Sequence, residues 1–357
     1  IMVVTNIFQL LSVTAMTSPD LLKKLAAYVP APVAHAIYHR PRLPGEPAAR
    51  RFPAAVLLAD ISGFTPLSEL LSRVGPTGAE ELTQLLNQYF KLMIQLIEAH
   101  QGQVIEFSGD AIIALFPAED IPLQLAVRRA GECALLMQAG MGAFTSVRTS
   151  QGRASLSMKA AIGAGEVLEC RIGGVMGRWE YVVGGDPLVQ VAIVESQARP
   201  GQVVLSSRAW REARLFFRGE AQPGGRGAVN LYRVTTPLPE SEPAVLDWGQ
   251  LGPEERRLAE TALQGYVPNA IRARLDEQAE WLAELRRMTI LFVGFGNLDY
   301  VADDAGERLL YLVQAAQDLF YRFEGSLGKV TVDDKGTVLL ILFGVPPFSH
   351  EDDAMRA

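Results

Sequence analysis

Two hydrophobic periods alternate along the chain, and they do so in a telling order. Residues 54–60 (AAVLLAD) are a continuous apolar run closed by an aspartate. A run of strand length without polar alternation predicts a strand buried on both faces. After the turn-forming ISGFTP, the positions Leu82, Leu85, Leu86, Tyr89, Met93, Ile94 and Ile97 recur at helical spacing. They predict a helix over about 78–99, with Thr77 as its N-cap and His100-Gln101-Gly102 as its end. QVIEF and AIIALF read as two short strands joined at Ser108-Gly109-Asp110, a hairpin. A helix over 121–144, a long strand in SLSMKAAIGAGEVLEC, the segment EYVVGG leading into a helix through about 197, and a turn and strand in ARPGQVVLS follow. The order β-α-β-β-α-β predicts an α+β, ferredoxin-like domain. Ahead of it, residues 19–40 read as one helix with Ser18 or Asp20 near its N-cap. Residues 41–51 read as a Pro-rich linker.

The pattern then repeats. MTILFVGFGNL corresponds to AAVLLADISGF, and FEGSLGKVTVDDKGTVLLILFGVPP to HQGQVIEFSGDAIIALFPAED, about 230 residues on. That period is too long for a solenoid and predicts two copies of one domain. The expected organisation is an N-terminal extension and linker over 1–50, a first domain over 51–236, a helical linker over 237–286, and the start of a second, similar domain over 287–357. The second copy stops where its next helix should begin, so a fragment is expected.

Composition narrows the classes. The 357 residues are 49% hydrophobic and 20% charged, with 33 basic residues interspersed among 40 acidic ones for a net charge of −7. This is a globular composition without the basic stripe of a nucleic-acid binder. A nucleotide ligand remains compatible, because a bound metal supplies positive charge locally. The apolar start (IMVVTNIFQLLSVTA) is too short to span a membrane and lacks the basic region of a signal peptide. Met16 is the expected true start. Cys133 and Cys170 read as small core residues, and a cytoplasmic location is expected. His35 and His39, four apart, have no acidic or thiol neighbour to complete a metal site.

The chemistry concentrates on Asp60 and Asp110. One ends a buried strand and the other sits at a hairpin tip 50 residues later. In a ferredoxin-like sheet the first strand runs between the others, so the two carboxylates converge at one end. Such a pair suits hard divalent cations, and two metals held this way can clamp the oxygens of a phosphoryl transfer. The turn Ile61-Ser62-Gly63-Phe64-Thr65 opens a helix whose backbone N–H groups can meet phosphate.

AVLLADISGFTPLSE and VIEFSGDAIIALF resemble the two metal-binding motifs of class III adenylyl and guanylyl cyclases. The resemblance implies two Mg²⁺ ions (Mn²⁺ as a substitute) on Asp60, Asp110 and the Ile61 carbonyl, with Ser62, Gly63, Phe64 and Thr65 at the phosphates. It implies conversion of ATP to cyclic AMP and pyrophosphate. The family's site lies between two domains, one of which brings a transition-state Asn and Arg. Those positions here are Val189 and Ile193, so a self-paired first domain should be nearly inactive, a loss of about 3 kcal/mol or more. The second copy has Gly294 and Thr337 where the first has its aspartates. One half with metals and one without resembles the tandem soluble adenylyl cyclases. Within that group Lys329, in GKVTVDDKG, is the expected adenine contact, and Lys335 a lesser candidate. Some members respond to bicarbonate through a Lys at the position of Glu106, and a carboxylate there would repel the anion. The expected partner of the first domain is therefore the second copy of the same chain, with no nucleic acid and no membrane span. The alternatives are a guanylyl cyclase and a non-catalytic nucleotide-binding regulatory module.

Overall fold

A computed structural model describes residues 21–43, 45–222, 228–234, 238, 246–268, 271–272, 288–296, 298–333, 335–345 and 348–357. Residues 1–15, the N-cap candidates Ser18 and Asp20, parts of the 237–286 linker, and Asn297 lie outside the described residues.

The expected single helix over 19–40 is two, α1 (Leu21–Ala26) and α2 (Ala31–His39). Pro30 separates them, since it lacks an amide proton and restricts the residue before it. The first strand, β1 (Ala48–Ser62), starts inside the predicted linker and runs on to its aspartate. Then come α3 (Phe64–Ser72) and α4 (Pro76–Ala99). Gly75, not Thr77, occupies the N-cap of α4, and Pro76 fills its first position, where a missing N–H costs nothing. The hairpin is β2 (Gln103–Ser108) and β3 (Ala111–Pro117). The predicted 121–144 helix is α5 (Leu123–Gly140) followed by a 3₁₀ turn over Met141–Phe144. A small ribbon that the hydrophobic pattern does not predict, β4 (Val147–Thr149) with β5 (Gly152–Ala154), precedes β6 (Ser157–Gly173). The remainder of this half is β7 (Trp179–Gly184), α6 (Asp186–Glu195), β8 (Val203–Leu205), α7 (Ser207–Ala213), β9 (Phe217–Ala221) and β10 (Val229–Val234).

The sheet order is β2-β3-β1-β6-β8-β10-β9, with β7 also paired to β6. Its first four members are the antiparallel ferredoxin-like core, and β1 lies between β3 and β6 as expected. Both faces of β1 are covered, which is why its sequence is an unbroken apolar run. On one face Ala55, Leu57 and Ala59 meet Leu86, Tyr89 and Met93 of α4 and Cys133 and Met137 of α5. On the other, Ala54 and Val56 share a core with Leu188 and Val191 of α6.

That second core does not stop at the first half. It takes in Tyr300, Leu309, Val313, Leu339, Ile341 and Phe343 from the C-terminal segment. There β11 (Thr289–Phe295), α9 (Ala305–Arg322), β12 (Ser326–Asp333) and β13 (Gly336–Phe343) form a three-stranded sheet in the order β11-β13-β12. The order matches β1-β3-β2. A short helix, α10 (Asp353–Arg356), follows. Polar contacts fix the seam: Arg51 donates to the carbonyls of Tyr300 (2.7 Å) and Ala302 (2.6 Å), and Gln314 to that of Gly173 (2.9 Å). A third core joins α1 and α2 to α8 (Pro253–Tyr266) around the buried Trp248, so the N-terminal extension and the linker pack on each other.

Candidate functional site

Asp60 is the thirteenth residue of β1, and the antiparallel register sets it opposite Lys159 on β6. On its other side Ala59 faces Ile112 of β3, so the hairpin tip carrying Asp110 lies next to the end of β1. Two features shape this corner. Gly109 has φ of 65°, which lets the hairpin close in two residues, and Gly63 has φ of 94° at the N-cap of α3. Left-handed backbone of this kind suits glycine. The Gly63 turn swings α3 away from the strand and leaves the amides of Phe64 and Thr65 in its first turn, facing no intrahelical acceptor.

Asp60 feels the charge of Asp110. Burial, then the charge of Asp110, pushes the Asp60 carboxyl up to about 6. The Asp110 carboxyl is raised too, chiefly by burial. Lys159 opposes both shifts, with its ammonium 3.5 Å from Asp60 and also paired with Glu195. Three carboxylates (Asp60, Asp110, Glu195) thus share one ammonium, a local excess of two negative charges. Tyr89 lies beneath them on α4, fully buried, and its hydroxyl has no hydrogen-bond partner among the described residues. Burial and the charges of Asp60 and Asp110 raise its phenol.

Uncompensated negative charge on hard oxygen donors is what a divalent cation satisfies. Among the described residues no group of three or more His, Cys, Asp or Glu side chains surrounds a single metal position. A cation on this pair would therefore draw its further ligands from main-chain carbonyls such as that of Ile61, from water or from a substrate. The residues fit a metal that completes its shell with phosphate oxygens.

Lys329 is on β12, across the seam. Its ammonium donates to the carbonyl of Phe107 (2.6 Å) and pairs with Glu106 (2.5 Å), both on β2 just before the Asp110 turn. The structure therefore brings the predicted base contact to the half that carries Asp60 and Asp110, while Lys335 sits in an exposed turn. Val189 and Ile193 lie on α6, partly buried and without polar side chains. Lys159 and Tyr89 were not singled out by sequence reasoning. Lys159 sits within an apolar strand pattern, and only the register with Asp60 reveals it.

Residues 47–234 match the family of adenylate and guanylate cyclase catalytic domains. The chain is similar to adenylate cyclase type 10 of Rattus norvegicus, 26% identical over 360 residues, which covers 94% of this chain and 22% of that protein. It is similar to adenylate cyclase 1 of Rhizobium meliloti, 29% identical over 53% of this chain and 28% of that one. Among solved structures, the adenylyl cyclase CyaB from P. aeruginosa aligns with a TM-score of 0.45 and 22% identity, over 55% of this chain and all of that one. The chain thus spans about a fifth of the length of the rat protein. No helix among the described residues is long and apolar enough to cross a membrane. The family match covers more than half of the sequence and takes in both Asp60 and Asp110: the chain belongs to the class III adenylate and guanylate cyclase catalytic domain family.

Proposed function

We propose that residues 51–236 are the metal-binding half of an adenylate cyclase and that residues 287–357 begin its complementary half, the two enclosing one composite site. The observation that carries this reading is the excess of negative charge where Asp60 and Asp110 converge, beside Lys159 and the first turn of α3. Asp60, Asp110 and the Ile61 carbonyl would hold Mg²⁺ or Mn²⁺. When bound, the cations supply Lewis-acid activation of the ribose 3′-hydroxyl and charge compensation for the triphosphate. The chain's own residues do the rest. The amides that open α3, within Ser62-Gly63-Phe64-Thr65, orient phosphate oxygens at a helix N-terminus. Lys159, with its ammonium 3.5 Å from Asp60, offers a positive charge to the same oxygens. Lys329, a donor with no acceptor, reads a ring nitrogen of the base. Attack of the 3′-oxygen on the α-phosphorus forms the cyclic phosphodiester and expels pyrophosphate. The cytoplasm, where Mg·ATP is abundant, is the location this reading implies.

Val189 and Ile193 put apolar side chains at the two positions of α6 where the family carries its transition-state Asn and Arg, which favours pairing with an unlike half. The same observation supports a second reading, a nucleotide-binding regulatory module that does not turn over. The deciding assay is cyclic nucleotide formation from Mn·ATP and from Mn·GTP by the full-length natural polypeptide, beside Asp60→Ala and Asp110→Ala. Cyclic AMP that disappears in both variants is the expected result. Nucleotide binding without any product would establish the regulatory module instead, and cyclic GMP in place of cyclic AMP would correct the substrate.

A further inference from the structure

Glu106 and Lys329 occupy the same position in the two halves. Each half enters its hairpin through a non-glycine residue in left-handed backbone, Gln101 (φ 60°) and Glu324 (φ 61°). A glycine follows each, Gly102 and Gly325, and in both cases an added Cβ would strike a phenylalanine ring, that of Phe116 or Phe343. Both hairpins then break register at the same step, between Val104 and Glu106 in one and between Leu327 and Lys329 in the other. A bulge of this kind re-aims the side chain that follows it. The re-aimed residue is a glutamate in the first half and a lysine in the second, and they meet at 2.5 Å with about a fifth of each side chain exposed.

Equivalent residues touching each other is the signature of a twofold relation between the halves. On such an axis a residue of a self-paired copy faces itself. Two first halves would bring Glu106 against Glu106, and two second halves Lys329 against Lys329. Only the unlike pair is neutral. Burial sharpens the difference, because it already raises the Glu106 carboxyl against the opposing pull of Lys329. We infer that the Glu106–Lys329 pair selects docking of the second half on the first over self-pairing of either half. The attractive and repulsive arms of one contact then set the specificity together. The pair also holds the Lys329 ammonium on the carbonyl of Phe107.

The test reads association, not turnover, so it stands or falls separately from the cyclase reading. Glu106→Lys, Lys329→Glu and the double reversal are compared in the full chain by light-scattering mass and thermal midpoint. Each single reversal is expected to lower the midpoint and to shift the mass toward self-associated species. The double reversal restores opposite signs and is expected to recover at least half of the lost midpoint and the wild-type mass. If a single reversal fails to accumulate, Glu106→Gln, Lys329→Gln and the double neutral variant carry the same comparison, with the double change costing less than the sum of the singles. A double reversal no better than the worse single would overturn the inference. So would single changes that leave both midpoint and mass unaltered.

Discussion

Replacing Asp60 by asparagine should stabilise the metal-free protein and abolish its response to metal. In the unfolded chain an aspartate titrates near 3.8, whereas in the fold Asp60 titrates at about 6. The native state therefore binds this proton more tightly than the unfolded state does. The Asp60 share of stability is highest below about pH 4, falls as pH rises toward 6, and stays low above it. The full difference corresponds to ~3 kcal/mol. About 1–3 kcal/mol is the expected gain for Asp60→Asn, since Lys159 loses one of its two partners. Urea unfolding in a chelator at pH 4.5 and 7.5 measures this, and the variant should gain on the wild type only at the higher pH. Adding Mn²⁺ at 100 times its dissociation constant should then stabilise the wild type by about 2.7 kcal/mol and leave Asp60→Asn unchanged. A variant that loses stability at pH 7.5 without metal would refute the reasoning. Asp60–Lys159 would then be a structural ion pair.

Lys159→Ala should weaken Mn·ATP binding about 10- to 100-fold, the loss of one charge-assisted hydrogen bond, as read by titration of a fluorescent ATP analogue. Unchanged affinity would make Lys159 a partner of the carboxylates alone. Gly184→Ala places a methyl 2.1 Å from the Tyr300 ring at the seam. It should destabilise the protein by about 1–3 kcal/mol, and in a Tyr300→Ala background the same change should cost much less than in the wild type. Tyr89→Phe removes a buried hydroxyl without a partner. Without metal it should be neutral or stabilising by about 1 kcal/mol, and a loss of more than that would show the hydroxyl to be bonded.

The aspartate pair was legible because its signals are local. A central strand announces itself by an unbroken apolar run, and a two-residue hairpin by its turn glycine. Lys159 was not legible, because its role depends on a register between β1 and β6 that no short window contains. The split of the N-terminal helix was present in the sequence as Pro30, yet the apolar spacing on either side outweighed it in the reading. The β4–β5 ribbon has three residues per strand and no buried position, so no periodicity could betray it. Glu106 was read only as a carboxylate where relatives of this group carry a lysine. Its meeting with Lys329 is a contact between halves 223 positions apart.

The two halves show what a repeat preserves and what it lets go. The register sets Ala59 against Ile112 in the first half and Val293 against Leu339 in the second, and all four remain apolar. One step further along, Asp60 gives way to Gly294, and the Asp110 position is taken by Thr337. Among the described residues no atom lies within 4 Å of a Cβ added at Gly294. The hydroxyl of Thr337 is fully buried and bonded to that of Tyr300 at 2.7 Å. The position equivalent to Asp110 thus carries a hydroxyl bonded inside the C-terminal segment, to the ring that packs at the seam. Packing holds the apolar positions fixed in both copies, because a methyl gained or lost in a covered strand carries a cost. At the end of the first strand Asp60 is half-buried and Gly294 exposed, so that position is freer of the constraint.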